Sequence, residues 1–463
     1  MRDKYNYIFS KFCLVTSLSI AGPIALGILN GLTVCLMSKT IPVDSLSYLR
    51  LTILIMSIFF LSFFIKKMWN KKEEALILLL VVAPQLKTFE IGVLDLLDLP
   101  IILLIISFLI DDMMFKEKRL AFRFPKHVLF LLLILVPYLS SINGGIRGIT
   151  DGVKITRNVL YYLLLSVIMF SKKEYFEFAI KVLVITVGLS SIIAIIQEFL
   201  FLEWGIILVP GASSVHTELL LELTSFGVLL RSPAFCAHLP HQLASLLSFC
   251  IPSLFFLLIS QQKIILKSKR LAFVSFFFMN IALLLTFSKS AWIGSVLGII
   301  LAILLYKPRY LLHFSLIAIA GLAFLITSGF LKDIFQALYA ELKLGGDLSD
   351  RVFLIKYGLQ RFLNHLWIGR GINLSFFYAP TVLKWPIHNG FVKALTEVGL
   401  IGFGIYILII IFFVLKLLTT KNIFAKVLLS GLFGYLIQLQ TEPFFFNPNF
   451  FLIIALIGAL KSI

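Results

Sequence analysis

Apolar runs of membrane-spanning length recur along this chain, and nothing else in it limits the fold as sharply. Fourteen such segments can be drawn: 12–37, 51–65, 75–86, 92–110, 127–142, 155–170, 178–201, 243–260, 271–287, 290–305, 310–330, 395–418, 423–438 and 447–460. A helical span needs about 20 apolar residues, and a helix satisfies its own backbone where no water can. The composition agrees. Of 463 residues 60% are hydrophobic and only 14% charged, against roughly 25% charged in a soluble domain. The predicted fold is an all-α polytopic membrane protein of about 12–14 transmembrane helices, the lower figure applying if 75–86 and 92–110 form one re-entrant hairpin.

The net charge of +18 would suit a nucleic-acid binder, but the positions of the charges argue otherwise. Alternate loops gather Arg2, Lys4 and Lys11, then Lys66 to Lys72, Lys116 to Lys126, Lys172 to Lys181, Lys263 to Arg270, Lys307 and Arg309, and Lys416 to Lys461. They hold 25 of the 41 basic residues. Cytoplasmic loops carry such an excess, so both termini are expected in the cytoplasm, and nucleic acid is not an expected partner. The run from Phe12 to Met37 exceeds a cleaved leader and reads as the first span. Cys13, Cys35, Cys236 and Cys250 show no metal spacing and no disulfide framework.

The other 16 basic residues fall on the outer side, half of them in 331–394. The chain thus divides into N-terminal spans (1–201), an outer loop with central spans (202–330), a large outer loop (331–394) and C-terminal spans (395–463). In the large loop Val352, Ile355, Leu359, Phe362, Leu363 and Leu366 recur at helical spacing after Ser349, a candidate N-cap. They predict an amphipathic helix along the outer face.

Chemistry is sought in the two outer loops. On one continuous helix of about 100° per residue, Gly399 returns to the face of His388, Gly402 lies nearby, and Glu397 points away. A lone histidine there would be a capping or interfacial residue. With Asn389 beside it and glycines at that spacing, His388 is the candidate general base. Arg231 and Arg351 are candidates for a phosphate, which a guanidinium grips with two parallel bonds; the competing role is headgroup anchoring. For Arg361, Arg370 and Lys384 the two roles weigh equally. Lys289, in TFSKSAWIG, is a lone charge between two apolar runs. His238 and His241 read as polar loop residues. Glu90, Asp95, Asp98 and Glu397 are secondary, and Asp347 and Asp350 suit a helix N-terminus. No nucleotide-binding motif occurs, so an enzyme of this kind needs an activated substrate arriving within the membrane.

His388-Asn389, nine residues, then Gly399-Leu-Ile-Gly402 resembles the signature of the O-antigen ligase and O-antigen polymerase superfamily. Further resemblances are Arg351 with Gly369-Arg370-Gly371, Arg231 with Pro240, and Ser288 followed by Lys289 where arginine is usual. The resemblance implies a metal-independent glycosyltransferase of the GT-C type in the bacterial inner membrane, its site facing the periplasm. The donor it implies is an undecaprenyl-diphosphate-linked glycan. The acceptor is another repeat unit in a polymerase, or the lipid A core in a ligase. His388 is then the catalytic base, and Arg231, Lys289, Arg351, Arg370 and Asn389 bind substrate. No cofactor or metal is expected; membrane lipids and a chain-length regulator are candidate partners. Polymerase is the leading reading, ligase the alternative, and a flippase or exporter of the same glycan the second alternative.

Overall fold

The computed structural model describes residues 71–84, 90–91, 94–95, 98, 101–102, 104–106, 128–204, 221–224, 227–230, 240–260, 269–309, 347–375, 377–378, 384–385, 387–442 and 446–460. The apolar segments 12–37, 51–65 and 310–330 lie outside the described residues, as do Arg231, His238 and the side chain of Arg351. Two compact units divide the chain, Met1–Ala75 and Leu76–Ile463. The first is described only at its end, where α1 (Lys72–Val82) begins. The second holds everything below.

Nine further helices follow among the described residues: α2 (Val128–Ser171), α3 (Lys173–Trp204), α4 (Pro240–Ile259), α5 (Lys269–Leu285), α6 (Lys289–Tyr306), α7 (Asp347–Asn364), α8 (Gly390–Thr419), α9 (Ile423–Gln438) and α10 (Pro448–Gly458). Five of the helices are long and apolar enough to cross a membrane, which makes the chain an all-α polytopic membrane protein. Among the described residues strands are confined to three short antiparallel hairpins: Glu90–Ile91 with Leu94–Asp95, Leu221–Thr224 with Gly227–Leu230, and Phe377–Tyr378 with Lys384–Trp385.

Three expectations need correction. The stretch 143–154, expected as a loop, is helical, and it joins the runs on either side into α2 across a kink at Gly145 (φ 61°). Ser349 lies inside the first turn of α7 rather than at its cap, because the helix begins at Asp347. In the run 92–110, Leu94–Asp95 form a strand, and the described residues further on, 98, 101–102 and 104–106, are helical.

Small residues bring three helices together. A Cβ added at Gly294 of α6 would lie 2.4 Å from the Gly434 carbonyl of α9, and one at Gly434 would lie 2.3 Å from the Ser248 carbonyl of α4. A Cβ at Gly298 would lie 2.8 Å from the Ser430 carbonyl and 2.6 Å from Pro252, and one at Gly431 2.5 Å from the Phe249 carbonyl. Lipid offers no hydrophobic drive for helices to associate, so close backbone packing of this kind supplies it. Cys250 is a free thiol buried in α4.

Helix ends are closed by polar side chains. Asn389, Asn422 and Asn447 accept from the first backbone N–H groups of α8, α9 and α10. At the other end of α10, Lys416 Nζ donates to the Ile457 and Gly458 carbonyls at 2.7 and 3.0 Å. A cation there meets the negative end of the helix dipole.

Candidate functional site

Asn389 sets the geometry around His388. Its Oδ1 accepts from the Phe391 and Val392 N–H groups at 3.1 and 2.9 Å, and its Nδ2 donates to the Gln440 carbonyl at 2.7 Å. The Gly390 N–H donates to the Leu439 carbonyl at 2.9 Å. His388 therefore precedes α8 instead of riding on it. Its ring is half-buried, with Nδ1 enclosed.

Nor is α8 itself one continuous helix. Gly399 has φ 66° and ψ −171°, so α8 is broken there. L-residues rarely adopt such a conformation. The glycine is a kink in the chain rather than a residue on one helical face with the histidine.

The break is filled from outside. Within a regular helix the Leu400 and Ile401 N–H groups would bond the Thr396 and Glu397 carbonyls. Here they donate instead to the Leu366 and Trp367 carbonyls, at 2.8 and 3.1 Å. The abandoned Thr396 and Glu397 carbonyls accept from the Arg370 and Gly371 N–H groups, both at 3.0 Å. Two helical bonds are thus exchanged for four to the Leu366–Gly371 segment. Broken helices are tolerated at membrane depth where such partners restore the backbone bonds.

A second broken helix meets the same turn. Asn143 Nδ2, beside the α2 kink, donates to the Gly369 carbonyl at 2.7 Å, and a Cβ at Gly371 would lie 2.8 Å from Gly144 Cα. The four glycines with positive φ among the described residues, Gly145, Gly369, Gly371 and Gly399, all belong to this junction. Arg370, half-buried, projects from its middle residue.

Buried polar groups surround the segment of α8 before the break. Glu397, 1% exposed, accepts from Ser375 Oγ at 2.6 Å and faces Lys393 Nζ at 3.8 Å. Thr396 Oγ1 donates to the Gly358 carbonyl of α7 at 3.0 Å. Val352, Leu359 and Leu363 on α7 remain exposed, as an interfacial helix requires.

The structure unites some of the expected residues and leaves others apart. Asn389 and the Arg370 main chain bracket one segment of α8, separated by roughly 10 Å along its axis. Lys289 is exposed at the first position of α6, behind Ser288, whose buried Oγ makes no cap bond. Arg361 stacks over the Tyr357 ring at 5.1 Å, which gives it a local role. Asp98 pairs with Arg157 inside the protein. Among the described residues no group of three His, Cys, Asp or Glu side chains is placed to hold a metal.

One pair was missed. His241, read as a polar loop residue, places Nδ1 2.9 Å from Glu442 Oε1, and that carboxylate side chain is 3% exposed. Glu442 had a signal of its own, being an acidic residue set between two apolar runs.

These features define a multispan membrane protein whose polar site is built from helix N-termini and helix breaks at one end of the bundle. A family model described as O-antigen ligase matches residues 274–407. That match supports the O-antigen ligase and polymerase superfamily, the one the His388 signature resembles. It covers Ser288, Lys289, Gly369 to Gly371, His388, Asn389, Gly399 and Gly402, but not Arg231 or Glu442. No curated protein matches the chain.

Proposed function

We propose that this protein is a membrane glycosyltransferase that joins lipid-linked glycan repeat units into a surface polysaccharide. The donor is an undecaprenyl-diphosphate-linked glycan, and the acceptor is a hydroxyl of a second unit. The enzyme sits in the bacterial inner membrane with both termini cytoplasmic and His388 towards the periplasm. The observation that carries the reading is His388, half-buried and fixed on the Asn389 cap of α8, within the matched stretch.

The chemistry needs little more. His388 takes the proton of the acceptor hydroxyl as its oxygen bonds to the anomeric carbon. The bond from that carbon to the diphosphate breaks in the same step, which inverts the centre. The diphosphate leaves as an anion, so its departure needs neutralising charge rather than a proton. With Nδ1 enclosed, Nε2 is the nitrogen assigned to the acceptor. Arg231, Lys289, Arg351 and Arg370 supply positive charge to the diphosphate, and the four glycines fix the backbone of Arg370. Lys289 also adds charge to the positive end of α6, where an anion is favoured. Such an inverting transfer, in a GT-C-type architecture, needs no metal.

A ligase reading, with the lipid A core as acceptor, draws on the description of the matched family model. The lipopolysaccharide of a deletion strain separates the two. Cores bearing a single repeat mean polymerase; bare cores beside accumulated lipid-linked polymer mean ligase. An unaltered surface glycan overturns both. For the chemistry, His388→Ala in membranes should lose about 10²–10⁴ in transfer rate at unchanged protein level and donor binding. Near-normal transfer removes the base.

A further inference from the structure

We infer that Glu442 is a positioning residue for His388, acting through the turn that follows α9. The inference rests on the reading of His388 as the base, and it adds a residue outside the matched stretch.

The two residues after His388 are anchored on that turn. Asn389 Nδ2 donates to the Gln440 carbonyl, and the Gly390 N–H donates to the Leu439 carbonyl. The contact is close: a Cβ at Gly390 would lie 2.7 Å from the Leu439 carbonyl oxygen and 3.0 Å from that of Glu442. Any movement of residues 439–442 is therefore passed to the start of α8.

The turn in turn grips the first residues of α4 at two points. Glu442 Oε1 faces His241 Nδ1 at 2.9 Å, and Gln438 Nε2 donates to the His241 carbonyl at 3.2 Å. Behind them Gln438 Oε1 accepts from Ser248 Oγ at 3.2 Å, and Asn449 Nδ2 donates to the Gln242 carbonyl at 3.1 Å. The N-terminus of α4, the end of α9 and the start of α10 are thus locked together at the His388 end.

A carboxylate is a costly way to make a purely mechanical tie. Glu442 Oε2 is buried without a hydrogen-bond partner among the described residues. Well-packed apolar side chains often replace a buried polar pair with little loss of stability, whereas loss of one partner leaves the other polar group unsatisfied. A buried Glu442 set against the half-buried His241 is suited to holding the turn in one position. Misplacement of a catalytic group by about 1 Å can cost about 10²-fold in rate.

The test uses the full-length protein in lipid nanodiscs and reads the position of His388 as well as catalysis. Carbethoxylation of His388 by diethyl pyrocarbonate, followed by peptide mass spectrometry, reports the exposure of its ring without any substrate. In Glu442→Gln the modification rate of His388 should rise several-fold. With a synthetic lipid-linked repeat, kcat should fall about 10–100-fold while the donor KM stays within about twofold. Glu442→Asp, which retains a carboxyl group, should recover part of both effects, and it serves in place of the glutamine variant if that fails to fold. Asn389→Ala and Glu442→Gln combined should lose less than the product of the single losses, since both act through one turn. Unchanged His388 reactivity in Glu442→Gln overturns the inference, whatever happens to transfer. Full transfer by His388→Ala overturns the general-base reading and leaves the reactivity result to decide the position of the ring.

Discussion

Lys289 is the residue at which family pattern and local physics pull hardest against each other. It stands where the superfamily usually has arginine, at the first position of α6. A cation is disfavoured at a helix N-terminus unless an anion is also present. Phosphate would be such an anion, and an ammonium binds it as a point charge without the arginine fork. Lys289→Arg should therefore keep transfer, while Lys289→Gln should lose most of it at limiting donor and equal expression. A lysine that only snorkels to headgroups predicts full activity for the glutamine variant. Asn389 makes a different case, since it serves both the helix cap and the 439–442 turn. Its replacement by alanine should cost about 1 kcal/mol from the lost cap, seen as a lower Tm of the purified protein. It should also reduce turnover, because His388 is the neighbouring residue.

The element-scale lesson lies in α8, whose apolar run is plain in the sequence while its break is not. Gly399 and Gly402 are visible as glycines at a fixed distance from His388, and a helical wheel turns them into one face. The wheel assumes an unbroken helix. The break exists because residues 366–371 offer donors and acceptors to residues 396–401, a long-range exchange that periodicity cannot register. The same holds for His241 and Glu442, which lie far apart in the chain and meet only when α4 and α9 pack. The helix caps were within reach, since Asn422 stands directly before an apolar run, Asn447 opens one and Asn389 precedes one by a short stretch. Gly399→Ala tests the break. Its Cβ would meet Gly369 N at 2.4 Å, and a non-glycine residue held at φ 66° costs about 1–3 kcal/mol. The variant should show a lower Tm and weaker transfer even though it touches no substrate. An alanine at Gly404, which has open space around its Cβ, is the matched control and should behave as the parent protein.

At the scale of the whole molecule, helix alternation sorts the charges by end. The starts of α4, α6, α8 and α10 share one end with the finish of α9, and there lie His388, Lys289, His241 and Glu442. At the opposite end are Lys172 and Lys173 between α2 and α3, Lys269 and Arg270 at the start of α5, Lys307 and Arg309 after α6, and Lys416, Lys421 and Lys426 around the α8–α9 turn. Two of these lysines also close helices, Lys416 on the last carbonyls of α10 and Lys426 on the Leu305 carbonyl of α6 at 3.4 Å. Capping alone would not gather so many cations at one end, because helices finish at both. Retention of positive loops in the cytoplasm does account for it. A reporter fused after Lys269 should therefore behave as cytoplasmic, and one inserted at Gly346, just before α7, as periplasmic. The second site also tests the segment 310–330, because an even number of crossings between Lys269 and Gly346 would return both reporters to one side. If both report the same compartment, that span is lost from the count. The His388 end then no longer follows from the charge pattern, and a periplasmic donor for this site fails with it.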